Sequence, residues 1–222
     1  MMRERTPDGT NQLAHVAGAV YVSLGVATAI GYYHAPLVQG DLSGVARMIT
    51  GPDLRFRIGV VSDVLAAVLA VPLALLLYQL LKPVHETQAT LMALLLLLSV
   101  PISFVVALNY VAAQALLAGA PEVSALTGAQ RDAFGMLFLR LHTDGVLAVE
   151  IFFGLWLLPF GLLIIAGVAY VAHSVTSLLL AGHRIILYER VTMLAPAAGE
   201  FPIMLWLLIN GAKVRRVSSR TA

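Results

Sequence analysis

The chain has no cysteine, which excludes disulfides, thiolate metal sites and cysteine nucleophiles. It is also poor in charge. Asp, Glu, Lys and Arg make up 12% of its 222 residues. A soluble domain carries about 25%, so too few polar side chains are present to coat a water-facing surface. Two signatures of enzyme chemistry are missing as well, the His-Glu-x-x-His pair and the Gly-x-Ser-x-Gly turn. No internal repeat stands out, which removes a common mark of transporters built from duplicated halves. Met1–Asn11 is polar, and the apolar run after it is longer than a signal-peptide core, so that run is expected to stay as an anchor.

What is present is hydrophobic. Apolar residues make up 59% and the mean hydropathy is +0.88. At about 20 residues per crossing, the length provides for about five to seven membrane spans and no sizeable soluble domain. The isoelectric point of about 9.1 would ordinarily raise nucleic-acid binding. Here Lys and Arg sit at helix ends and in the tail, so orientation in an anionic membrane accounts for them and no nucleic-acid partner is expected.

The expected fold is all-α, a polytopic transmembrane bundle of about six helices over residues 13–212. A polar tail (1–12) precedes it and a basic tail (213–222) follows. The spans fall at Leu13–Tyr33, Ile58–Leu81, Ala89–Leu117, a fourth ending near Pro159, Leu162–Ala181 and Val191–Ala212. Asp41–Ile49 has the pattern of a short interfacial helix. Thr127–Gln130 is expected to start a helix that runs through Arg131–Leu141 into the fourth span.

His142–Ala181 is too long for one upright span and barely long enough for two. Pro159 and Gly161 are the natural break, because proline removes a backbone donor and glycine tolerates a sharp turn. The reading is two helices joined by a tight turn, with one long kinked helix as the alternative. Lys213, Arg215, Arg216 and Arg220 fit a cytoplasmic tail, and an even span count places Arg3 and Arg5 on the same side.

Gly18, Tyr21, Gly25, Thr28 and Tyr32 recur at three and four residues, forming a stripe that admits another helix closely. Besides the lipid bilayer, a second copy or a membrane partner is expected through the Gly18 and Gly25 face. Ser99, Ser103, Tyr110 and Gln114 share one face of the third span, with Asn109 beside them, and interhelical hydrogen bonding is expected there.

The candidate intramembrane polar cluster is Asp63, Asn109, His142, Asp144, Glu150, Tyr170, His173 and Glu200. Asp63 either pairs with Arg55 or Arg57 near the surface or faces an interior polar cavity. Tyr170, His173, Ser174 and Ser177 follow i, i+3, i+4, i+7 and so share a helix face, while Gly199-Glu200 lies between Pro196 and Pro202. Three uses stay open. The groups could serve a small-solute or proton-coupled carrier, in which Glu150 and Glu200 cycle protonation and His173 titrates. His142, Asp144, Glu150, His173 and Glu200 could instead hold zinc or iron in a membrane enzyme. In a non-catalytic envelope scaffold they would only satisfy one another. No catalytic residue or metal ligand is assigned and no cofactor is expected; His15 or His34 as a haem ligand is the weakest reading.

The order of pieces resembles a bacterial membrane family, domain of unknown function 4386. The resemblance is carried by His15-Val16-Ala17-Gly18-Ala19-Val20-Tyr21 and by Phe56-Arg57-Ile58-Gly59-Val60-Val61-Ser62-Asp63. Leu137-Phe138-Leu139-Arg140-Leu141-His142 with Gly145, Phe152-Phe153-Gly154-Leu155, Ala166-Gly167-Val168-Ala169-Tyr170, Gly199-Glu200 and Leu205-Trp206-Leu207 continue it. It implies a six-helix bundle in a bacterial cytoplasmic membrane and supplies no activity. The chain departs from that pattern in three places. Leu162-Leu163-Ile164-Ile165 stands where the family has a polar loop, His173 where an acid is usual, and Glu150 where an apolar residue is expected. A coupled swap, with Glu150 paired to His173, would explain two of these.

Overall fold

The computed structural model describes residues 7–34, 42–51, 54–159, 171–172, 175–176, 179 and 200–211. The described elements are α1 (Pro7–His34), α2 (Leu42–Thr50), α3 (Leu54–Leu81), α4 (Glu86–Ala118), a short 3-10 turn (Pro121–Val123) and α5 (Gly128–Leu155). The last described helix, α6, is Glu200–Asn210. Among the described residues there is no strand, and the fold is an all-α helical bundle.

Among the described residues three stretches are long and apolar enough to cross a membrane: Gly9–Gly31, Phe56–Leu81 and Glu86–Ala118. At 1.5 Å per residue the second is about 39 Å long, against about 30 Å of bilayer hydrocarbon. The short helix expected within Asp41–Ile49 is α2. The expected start at Thr127 is where α5 begins. There the Thr127 hydroxyl accepts the Gln130 N–H (3.3 Å) while the Gln130 side chain accepts the Thr127 N–H (2.9 Å). Helix α5 ends at Leu155, and residues 156–159, the last of them Pro159, form turns. Residues 160–170, with Gly161, and most of 173–199 lie outside the described residues, so the pairing of helices expected over 142–181 is described only in its first half.

Helices α1 and α3, α3 and α4, and α4 and α5 pack as neighbours, and α2 lies against α3 and α4. The short connections at residues 82–85 and 119–127 make the last two pairs antiparallel. The described residues form two buried cores. One gathers Ala14, Ala17, Tyr21, Leu73, Ala74, Met92, Leu96, Trp156, Leu157, Met204 and Leu207. The other gathers Val45, Ile49, Phe56, Tyr110, Ala113 and Leu139 at the end where α2 sits. They are called here the Tyr21 half and the Tyr110 half.

Alanines are prominent beside the large side chains of the interior, and many large aliphatic side chains face outward. Ala14, Ala17, Ala70, Ala74, Ala89, Ala107 and Ala113 are buried, whereas Val61, Leu65, Val68, Leu91, Leu94, Leu98, Val105, Leu108 and Val111 face outward. Small residues inside let helix backbones approach closely and gain dispersion contacts, and large aliphatic residues outside suit a hydrocarbon surround.

The Gly18–Gly25 stripe does receive a helix, and that helix is the chain's own α6. A Cβ at Gly18 would lie 2.5 Å from the Leu208 backbone nitrogen, and one at Gly25 would lie 3.2 Å from the Met204 methyl. A second copy or a partner using that face would have to displace α6. The polar stripe of α4 is satisfied differently from expectation. Ser99 donates to the Leu96 carbonyl (2.6 Å) and Ser103 to the Ser99 carbonyl (2.9 Å), both in their own helix. These bonds flank Pro101, which interrupts the backbone ladder and leaves that turn polar.

Candidate functional site

His142 is 4% exposed on α5 and anchors the site. Its Nδ1 lies 3.0 Å from the Val106 carbonyl of α4. A carbonyl only accepts, so Nδ1 carries a proton and Nε2 is left to face whatever lies opposite. Opposite is Asp63 of α3, with Oδ2 3.6 Å from Nε2. That separation is longer than a hydrogen bond and within ion-pair range. Tyr110 stacks on the imidazole, ring centroids 3.5 Å apart at 23°, and Phe56 meets Tyr110 edge-on at 5.2 Å. The stack fixes the plane of the ring.

Two glycines make the approach possible. A Cβ at Gly145, one turn from His142 on α5, would lie 2.6 Å from a Val106 methyl. A Cβ at Gly31 on α1 would collide with Oδ1 of Asp63. Gly31 thus leaves room for the carboxylate against a bare stretch of helix.

With Nδ1 committed to a carbonyl, the pair is neutral when it holds one proton between Nε2 and Oδ2. It can do so as imidazole with carboxylic acid or as imidazolium with carboxylate. Adding or removing a proton leaves net charge in a low-dielectric interior, which is costly. The one-proton state is therefore the favoured one, with that proton at a single place between the two groups.

A second polar contact lies in the Tyr21 half. The Tyr21 hydroxyl donates to Oε2 of Glu200 at 2.5 Å, joining α1 to α6, and Trp156 meets the Tyr21 ring edge-on at 5.7 Å. Farther along the same seam, His15 Nδ1 donates to the Leu208 carbonyl at 2.7 Å. His15 thereby caps the end of α6.

Of the expected cluster, the structure brings Asp63 and His142 together and places Glu200 in a separate contact. Among the described residues the ionisable partner of Asp63 is His142, not Arg57. Asn109 turns back on its own helix, donating to the Val105 and Val106 carbonyls at 3.2 Å each. Asp144 is exposed. It lies two residues from buried His142, which on a helix puts it on the opposite side. Glu150 is 4% exposed on α5, about 12 Å further along the helix than His142. Tyr170 and His173, and with them the Glu150–His173 pairing, lie outside the described residues. Among the described residues no three of His, Asp and Glu come together as a metal-ligand set.

Tyr110 and Gly31 belong to the site and were not singled out for it in the sequence. Gly31 lies six residues after Gly25, off the seven-residue stripe, and so faces a different helix. That offset was the available signal.

Residues 16–211 match the family described as domain of unknown function (DUF4386). No curated protein and no solved structure matches the chain. With nearly its whole length covered, and an all-α bundle carrying three apolar helices of membrane-spanning length, the chain belongs to the family called domain of unknown function DUF4386.

Proposed function

We propose that the chain is a multi-pass protein of the bacterial cytoplasmic membrane with about six spans and both termini cytoplasmic. In this reading it is a small-solute or proton-coupled carrier in which the Asp63–His142 pair takes up and releases the coupling proton. The observation that carries the reading is the buried imidazole with Nδ1 fixed on the Val106 carbonyl and Nε2 facing Asp63. Support for the membrane comes from the outward aliphatic residues and the three long apolar helices. An ionisable residue within such a helix, here Asp63 on α3, is a functional-site candidate by default.

The test is proton flux into vesicles reconstituted with the purified chain, followed with an internal pH dye under an imposed potential. The wild type should acidify the lumen, and Asp63→Asn and His142→Gln should abolish the flux at equal protein insertion. Tyr21→Phe should keep it. Equal flux in all four proteins, or none in the wild type, would remove the proton role.

The envelope-scaffold reading has its own support in the Tyr21–Glu200 and His15–Leu208 contacts, which close polar groups within the bundle. It expects no flux, and it expects Asp63→Asn to leave every property except stability unchanged.

A further inference from the structure

A cleft of about 320 Å³ opens between α3 and α4, lined by Phe56, Arg57, Val60, Val61, Val111 and Gln114. It is distinct from the Asp63–His142 pair. Phe56, Val60 and Asp63 follow i, i+4, i+7 along α3, so the cleft lies one to two turns from Asp63 toward the α2 end. The Phe56–Tyr110 contact at 5.2 Å stands between them.

Two chemistries meet in this cleft. Arg57 and Gln114 offer N–H donors at one end, and Arg57 pairs with no carboxylate among the described residues. Val60, Val61 and Val111 supply an aliphatic wall, of which Val61 is 65% and Val111 53% exposed. The height fits a membrane boundary. Arg57 is the second residue of the apolar stretch Phe56–Leu81, and the amphipathic helix α2 packs on the same end of the bundle. Headgroups lie at that level, with acyl chains running inward beside the span.

We infer that the cleft binds one anionic phospholipid, with its phosphate on Arg57 and Gln114 and an acyl chain against Val60, Val61 and Val111. A guanidinium matches the oxygens of a phosphodiester in a fork, and among the described residues nothing acidic lines the cleft. The volume is at the small end of ligand sites, enough for a headgroup and the upper part of one chain. The proposal rests on the membrane half of the proposed function and is independent of the proton step.

The experiment is native mass spectrometry of the full chain in mild detergent. The probes are phosphatidylglycerol, phosphatidylcholine with the same acyl chains, and inorganic phosphate. One phosphatidylglycerol should be retained, with phosphatidylcholine held about tenfold more weakly and phosphate not retained. Arg57→Gln should lose about tenfold for phosphatidylglycerol. Val111→Trp, which fills the cleft while keeping the arginine, should lose retention as well. Arg140→Gln, an exposed arginine on α5, should change nothing. Circular dichroism confirms that each variant is folded.

Phosphatidylcholine held equally well, full retention in Arg57→Gln or in Val111→Trp, or free phosphate held as well as the lipid each overturns the proposal. A chain recovered in the soluble fraction without detergent overturns the membrane reading and this one together. A chain recovered in the membrane fraction leaves the lipid result to decide this proposal alone.

Discussion

The two halves of the bundle treat buried polar groups in opposite ways. In the Tyr21 half they are closed on each other at 2.5 Å and 2.7 Å, and both contacts join α1 to α6. In the Tyr110 half one nitrogen of His142 is fixed on a carbonyl, while the other faces Asp63 across 3.6 Å. A short closed bond holds two helices together and resists change. An open contact between titratable groups, with a vacant lone pair or an extra proton, can change state without unfolding anything. The difference is what motivates the proposal of holding for one half and proton exchange for the other.

The largest effect is expected where α1 and α6 touch backbone to backbone. Gly18→Leu should destabilise by about 3 kcal/mol or more, because the Leu208 backbone has no room to move aside. Gly44→Ala makes the contrast. Nothing lies within 4 Å of a Cβ there, and it should stabilise by about 0.5–1 kcal/mol. Thermal unfolding in detergent measures both, and equal effects would mean that α6 does not dock on Gly18.

Next comes the closed contact. Tyr21→Phe removes one hydroxyl and leaves Glu200 buried without that donor, so it should lose about 1.5–3 kcal/mol. In a double-mutant cycle with Glu200→Gln the losses should be strongly non-additive. Additive losses would break the link between α1 and α6.

The open contact should behave in reverse. Asp63→Asn should change stability by about 1 kcal/mol or less, because neutral His142 keeps its bond to Val106 and no charge is stranded. Proton flux should nevertheless vanish. Gly31→Ala should do the same by pushing Asp63 away from His142. A loss of several kilocalories per mole in Asp63→Asn would place this pair with the structural contacts and erase the distinction between the halves.

The smallest effect is expected at the exposed turn after α3. Hydrogen bonds to Tyr78 and Glu86, with the Glu86 charge 3.2 Å away, hold the Lys82 ammonium above its ordinary 10.5. Its contribution is therefore complete at neutral pH and is lost only as pH rises through the alkaline range above that value. Lys82→Ala should shift unfolding within experimental error at pH 7, as exposed pairs usually do. A clear shift would mean that this turn is better ordered than its exposure implies.

The helices themselves were legible because long apolar runs and caps are local signals. The short helix in Asp41–Ile49, the helix start at Thr127 and the first three long apolar helices need no knowledge of neighbours. The close approach at Gly18 and Gly25 was legible too, through spacing. The identity of the helix that makes it was not, because α6 lies far away in the chain. The pairing of Asp63 with His142 depends on three helices meeting at one height, and no spacing within one helix encodes that. The serines of α4 misled for a related reason. A hydroxyl on a helix can bond its own backbone as readily as a neighbour, and beside Pro101 it does.

The most direct test of the account is the state of the two His142 nitrogens. Solid-state nitrogen-15 resonance of histidine-labelled chain in bilayers reads it, with His142→Gln used to assign the signal. Nδ1 should carry a proton at every pH, Nε2 alone should titrate, and Asp63→Asn should move that titration. A His142 protonated at Nε2 and bare at Nδ1, or a titration indifferent to Asp63→Asn, would contradict it.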